Sequence, residues 1–217
     1  MKKLATLALF TILLCSTGLC APAPEQPLQV TLAFGEHLKL EGAFSDELTW
    51  TISYEGEILR EGSGTALLDF VFERPGSYVV LLSDQRVHDA AECSHHNLPA
   101  EIQVNVSSRK MIFDFDHVSY SSPLGSGAIA GLTLSVPVVV DSYDGAAFLY
   151  EPAEVPAAGV GAAITAVPVD HALMLNPGNH TLRYTITGGA DRPTYIMFDF
   201  VDVNGEVQSF AITRQIH

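Results

Sequence analysis

One stretch of the chain gathers side chains able to do chemistry: His88-Asp89-Ala90-Ala91-Glu92-Cys93-Ser94-His95-His96-Asn97. It holds three imidazoles, one thiol and two carboxylates. Borderline ions such as zinc take nitrogen and sulfur donors in a tetrahedron. His88, Cys93 and His95 or His96 are therefore the candidate ligands for zinc or another transition metal. The spacing matches no established zinc pattern. Neighbouring residues on extended backbone also point to opposite sides, so His95 and His96 do not easily reach one ion together. Two other readings compete: a solvated polar loop, and a lone thiol that forms an intermolecular disulfide.

The remaining candidates reduce to structure. Asp199, Asp202, Asn204 and Glu206 superficially suggest a calcium loop, but that chemistry needs oxygen ligands at fixed offsets ending on a distal Glu. Here the acids sit on a strand and its turn, so a hairpin is expected. Asp114 and Asp116 alternate with Phe113 and Phe115, as the solvent face of a strand would. Gly-x-Ser-x-Gly, His-Glu-x-x-His and phosphate-loop patterns do not occur. The sequence therefore predicts no catalytic residues, no enzyme and no organic cofactor.

The elements that must position these residues read as strands. After a basic start at Lys2 and Lys3, Leu4 to Leu14 is apolar and is followed by small residues up to Ala21. That order describes a secretory signal peptide over residues 1–21. Its apolar run falls short of the roughly 20 residues that cross a bilayer, and no later segment supplies a transmembrane span. Cleavage after Ala21 competes with lipid anchoring at Cys20 or Cys15. Residues 22–27 follow as a Pro-rich extended spacer. With the leader removed Cys93 stands alone, so no disulfide framework forms within one chain.

The chain carries 11 basic and 25 acidic residues, a net charge of −14. Losing Lys2 and Lys3 makes the balance more negative still. Such a field repels phosphate backbones, which excludes nucleic acid as a partner.

From Leu28 onward, short apolar runs alternate with Gly, Pro, Asn and Asp, without sustained helical periodicity. Residues 28–107 are expected to form one β-sandwich and residues 111–217 a second, joined by the polar stretch from Ser107 to Lys110. Leu48, Trp50, Ile52 and Tyr54 share one face of a strand, with Trp50 pinning the core. Glu55-Gly56 predicts the following hairpin turn. Pro75-Gly76 predicts a type II turn into a strand over Ser77–Ser83, which carries Tyr78 at its start, placed to reach back to that turn. Leu175 to Tyr184 repeats the Pro-Gly entry with Pro177-Gly178. Glu151 to Val169, rich in Ala, Val and Pro, predicts an extended edge strand and a loop, either folded over the sandwich core, the favoured reading, or exposed as an association edge. Asn204-Gly205 is the strongest hairpin signal.

The run Phe72-Glu73-Arg74-Pro75-Gly76-Ser77-Tyr78-Val79-Val80, with Trp50 upstream, resembles the penultimate-strand signature of polycystic-kidney-disease-type and other bacterial immunoglobulin-like domains. The likeness covers about Leu48 to Val106. It implies adhesion, spacing or ligand display rather than chemistry; with the strand pattern and the repeated Pro-Gly entry, the expected fold is all-β, two tandem Ig-like antiparallel β-sandwiches. The last 35 or so residues, centred on Tyr195 to Phe210, resemble the C-terminal hairpin of TraQ-type proteins of Bacteroidetes conjugative transposons. That implies an accessory role in conjugative transfer. The leading expectation is a non-catalytic exported binding or structural protein of the cell envelope or surface, with other envelope proteins as partners. A periplasmic metal-binding protein using the His88–His96 loop is the alternative.

Overall fold

The computed structural model describes residues 26–40, 46–84, 98–122, 127–192 and 194–212. The leader, Cys15 and Cys20, and the segment bearing His88, Cys93, His95 and His96 lie outside them. The described chain is all-β apart from two short 3-10 turns, at Gly64–Leu67 and Phe115–His117.

The N-terminal half contributes β1 (Leu28–Ala33), β2 (Glu36–His37), β3 (Leu48–Tyr54), β4 (Glu57–Ser63), β5 (Val71–Phe72), β6 (Gly76–Asp84) and β7 (Glu101–Ser107). Five of these form one sheet in the order β1-β7-β6-β3-β4, and β2 pairs with β5 separately. β1 runs parallel to β7, an exception to the antiparallel expectation. Period-two alternation decides which side chains go inside: in β3, Leu48, Trp50 and Ile52 are buried. They join Phe72, Tyr78, Val80, Ile102 and Val104 in one apolar cluster. Gly62 lies directly across from Trp50, and a Cβ there would overlap the indole ring. The β3–β4 turn forms as expected, with positive φ at Glu55 (50°) and Gly56 (87°), the requirement of a tight two-residue hairpin. Tyr78 reaches back as predicted, its hydroxyl donating to the Arg74 carbonyl at 2.9 Å. Between β4 and β6 the chain makes the first 3-10 turn and then only the two residues of β5.

The C-terminal half contributes β8 (Arg109–Phe113), β9 (Ser119–Tyr120), β10 (Gly127–Ser142), β11 (Phe148–Tyr150), β12 (Val155–Ala158), β13 (Ala162–Pro168), β14 (Leu173–Leu175), β15 (Gly178–Ala190), β16 (Met197–Val201) and β17 (Val207–Ala211). Most belong to a single sheet, in the order β17-β16-β12-β13-β15-β10-β8, with β9 also on β10. β11 and β14 pair as a separate ribbon. This sheet is nearly closed on itself, more like a barrel than two facing sheets. Its curl has a local cause: the β10–β15 register shifts between Ala130 and Leu132, where Gly131 adopts a φ of 75°. A bulge of this kind bends a long strand and increases its twist.

The interior of the curl holds Phe198, Phe200, Tyr184, Leu134, Val136 and Ile186, with Phe148, Tyr150 and Leu175 from the ribbon. Phe200 sits amid rings from three other elements, 5.4 Å from Phe113, 5.3 Å from Tyr184 and 5.9 Å from Phe115. The segment Glu151 to Val169, expected at an edge, supplies β12 and β13 inside the sheet. Val155, Ile164, Ala166 and Pro168 turn inward and are buried, and that burial decides their place over the prolines.

A single residue, Ser108, separates the strands of the two halves. Ser107 ends β7 and Arg109 begins β8, so Arg109 and Lys110, expected in a joint, already pair with Ser142 and Asp141 of β10. Phe34 N–H donates to Ser107 C=O and Tyr143 N–H to Ser108 C=O, with the Phe34 and Tyr143 rings edge to face at 5.8 Å. Lys110 pairs with Glu36 at 3.5 Å, both half-buried, and Lys39 with Glu206 at 3.1 Å in the open.

Candidate functional site

The site built most completely by the fold is a seam where the C-terminal sheet fails to close. Along the order β8-β10-β15-β13-β12-β16-β17 every pairing is antiparallel. An odd number of strands leaves β8 and β17 running in the same direction. An antiparallel ladder cannot form between them.

Register shows which backbone groups face this seam. In an antiparallel pair, residues alternate between pointing at the partner and pointing away. Asp114 N–H donates to Pro137 C=O, so Met111 and Phe113, opposite Val140 and Val138, point away from β10. Side chains take these groups. Gln208 accepts from Phe113 N–H at 3.2 Å and donates to Met111 C=O at 3.1 Å. Asn204 Nδ2 donates to Arg109 C=O at 2.9 Å. Two amide side chains thus stitch β8 to the end of the barrel.

Past Phe113 the stitching stops. The second 3-10 turn, spanned by a 2.7 Å side-chain contact between His117 Nδ1 and an Asp114 carboxylate oxygen, lifts the chain off β10 until β9 rejoins it. The solvent-facing strand expected for Asp114 and Asp116 is not formed, because Phe115 turns to stack between Phe113 (5.6 Å) and Phe210 (5.4 Å). A groove of about 470 Å³ opens there, between Phe115, Asp116 and Tyr120 on one bank and Ser209 to Ile212 on the other. Ile212 N–H donates to Ile196 C=O and Asp202 N–H to Glu206 C=O. By the same alternation, the N–H and C=O of Ser209 and Ala211 point away from β16 and into the groove. On the opposite bank Ser121 N–H donates to Thr133 C=O, which turns the backbone of Tyr120 toward the groove. None of these three residues has a backbone partner across the seam among the described residues. The Tyr120 hydroxyl is buried without a hydrogen bond among them, and burial pushes its pKa up to about 12. It stays a neutral donor throughout the ordinary pH range.

The β16–β17 turn fixes one end of this edge. Asp202 is buried, and its Oδ1 accepts from Asn204 N–H at 2.8 Å and Glu206 N–H at 2.9 Å. The three-residue loop Val203–Gly205, with Gly205 at φ 81°, replaces the two-residue turn expected. Asp199 accepts from the Ser209 hydroxyl at 2.6 Å. These acids and amides order a hairpin, as their spacing predicted. Burial pushes the Asp202 carboxyl above the usual carboxylate range, opposed by the two N–H bonds and reinforced by Glu206 and Glu36.

A second groove of about 420 Å³ runs beside β4, over Tyr54, Phe70 and Tyr78. Its tyrosine hydroxyls are committed to turn carbonyls, Tyr54 to Pro75 at 3.0 Å and Tyr78 to Arg74. Its rim carries both signs of charge, Arg60 and Arg74 against Asp69 and Glu73.

Among the described residues no group of three His, Cys, Asp or Glu side chains converges as metal ligands, and no helix is long and apolar enough to cross a membrane. The candidate set His88, Cys93, His95 and His96 falls outside the described residues, so the seam and that loop remain separate candidates. Sequence reading missed the seam. Gln208 and Phe115 carry no motif, and the odd number of strands on the sheet path emerges only from the pairing. No family model matches the chain, and no curated protein matches it.

Proposed function

We propose that this chain is a non-catalytic exported protein of the bacterial cell envelope or surface, which binds or assembles with other envelope proteins. The observation that carries this reading is the character of the described grooves. Strand edges and aromatic rings frame them, a surface suited to holding another polypeptide. Strand order in the N-terminal half, β1-β7-β6-β3-β4 with β2 on β5, supports an Ig-like sandwich for residues 28–107, as does the Tyr78 bond to the preceding turn. The C-terminal half, expected as a second Ig-like sandwich, is instead one curled, nearly closed sheet, so the Ig-like reading is proposed for residues 28–107 alone. The basic, then apolar, then small N-terminus supports export, with Cys20 or Cys15 as the anchor if one is used.

The test is fractionation of cells producing the full chain, with intact-mass measurement of the purified product and of Cys20→Ser and Cys15→Ser variants. Loss of the first 21 residues, or an acyl mass that one substitution abolishes, is expected. An unprocessed chain in the cytoplasm would overturn the reading.

A further inference from the structure

We propose that the seam groove is a strand-acceptor site, which takes a short extended segment of a partner polypeptide bearing alternating apolar and basic side chains. It deepens the reading of this protein as a binding module.

Topology decides the form of the occupant. β17 and β9 run in the same direction, so one strand inserted between them lies antiparallel to both. It would complete an antiparallel closed sheet with an even number of strands. The banks present the groups such a strand needs. Ser209 and Ala211 offer N–H and C=O from one side and Tyr120 from the other, none paired across the seam among the described residues. Strand addition of this kind draws affinity from main-chain hydrogen bonds and specificity from pockets under alternate side chains. Below the edges lie Phe115 and Phe210, which receive an apolar side chain, and the buried Tyr120 hydroxyl, which has a donor to spare. The open bank is about four residues long, from Ser209 to Ile212. Beyond it the Gln208 amide occupies the gap.

Charge decides the outward side chains. The chain carries −14 overall, and Asp116 stands exposed on the rim. A segment with Lys or Arg at alternate positions is attracted, and an acidic one is repelled.

Amide hydrogen exchange and binding on the purified full chain test this. In the free protein, Ser209 and Ala211 amides are expected to exchange at least tenfold faster than the ladder amides of Phe210 and Ile212. Protection already present at Ser209 and Ala211 would mean the edge is filled, and would overturn the proposal. The probe is the capped hexapeptide Lys-Val-Lys-Val-Lys-Val, with a Glu-Val counterpart and a version N-methylated at alternate positions. The first is expected to bind and to slow exchange at Ser209 and Ala211, and the other two to bind at least tenfold more weakly. Ala211→Pro removes a groove-facing donor and no ladder bond, a change tolerated on an edge strand. It should keep the Phe210 and Ile212 ladder protected and weaken binding at least tenfold. No binding by the basic probe, or equal binding to a folded Ala211→Pro variant, would overturn the site. These results are independent of the fractionation outcome, so failure of the site and failure of export are told apart.

Discussion

Replacing Gln208 by Ala isolates the seam. The side chain makes two hydrogen bonds to backbone groups of β8, at 3.2 Å and 3.1 Å. A buried or half-buried hydrogen bond contributes about 0.5–1.5 kcal/mol net, so losing both is expected to cost about 1–3 kcal/mol. The lower part of that range applies if water enters from the adjoining groove to satisfy Phe113 N–H and Met111 C=O. The loss should be local first, because β8 is still held to β10 on its other side. Hydrogen exchange at the Phe113 amide, followed with urea unfolding by far-UV circular dichroism, reads it. Phe113 should exchange roughly tenfold faster or more, a factor that corresponds to about 1.4 kcal/mol of lost protection. Trp50, the single tryptophan, lies in the N-terminal core. Its fluorescence serves as an internal control and should be unchanged in native buffer. If Gln208→Ala leaves both the Phe113 amide and the urea midpoint where they were, side chains do not close the barrel there.

Gly62→Ala should destabilise the N-terminal half by about 1–3 kcal/mol, since its methyl must displace the Trp50 ring; a shifted tryptophan emission and a lower urea midpoint check it. Asp202 has a folded pKa raised by burial, so its contribution favours folding at low pH and is lost as pH rises through that raised value. Asp202→Asn keeps the oxygen that accepts from Asn204 and Glu206, and should gain stability relative to the parent as pH rises above the ordinary aspartate value of about 4. Asp202→Ala should lose about 1 kcal/mol or more, as chemical denaturation at several pH values would show. Glu36→Gln weakens the half-buried pair with Lys110 and should cost no more than about 1 kcal/mol; small-angle scattering should show a broader distribution of orientations between the halves.

The sequence by itself determined much of the strand content. Alternation in β3 placed Trp50 and Ile52 inside and Thr49 outside, because a pleated strand leaves little choice once one face is apolar. Glu55-Gly56 and Tyr78 specified their turns, because each depends only on neighbours a few residues away. Only tertiary structure decided the rest. Nothing local to Glu151–Val169 says that β12 and β13 lie within the sheet; that follows from β15 and β16, distant in sequence, covering both edges. Phe115 leaves the alternating pattern because stacking on Phe113 and Phe210 outweighs continuing β8. The seam depends on strand parity and on Gln208 meeting a backbone 95 residues away. Such an arrangement is a property of closure, and no local stretch of sequence contains it.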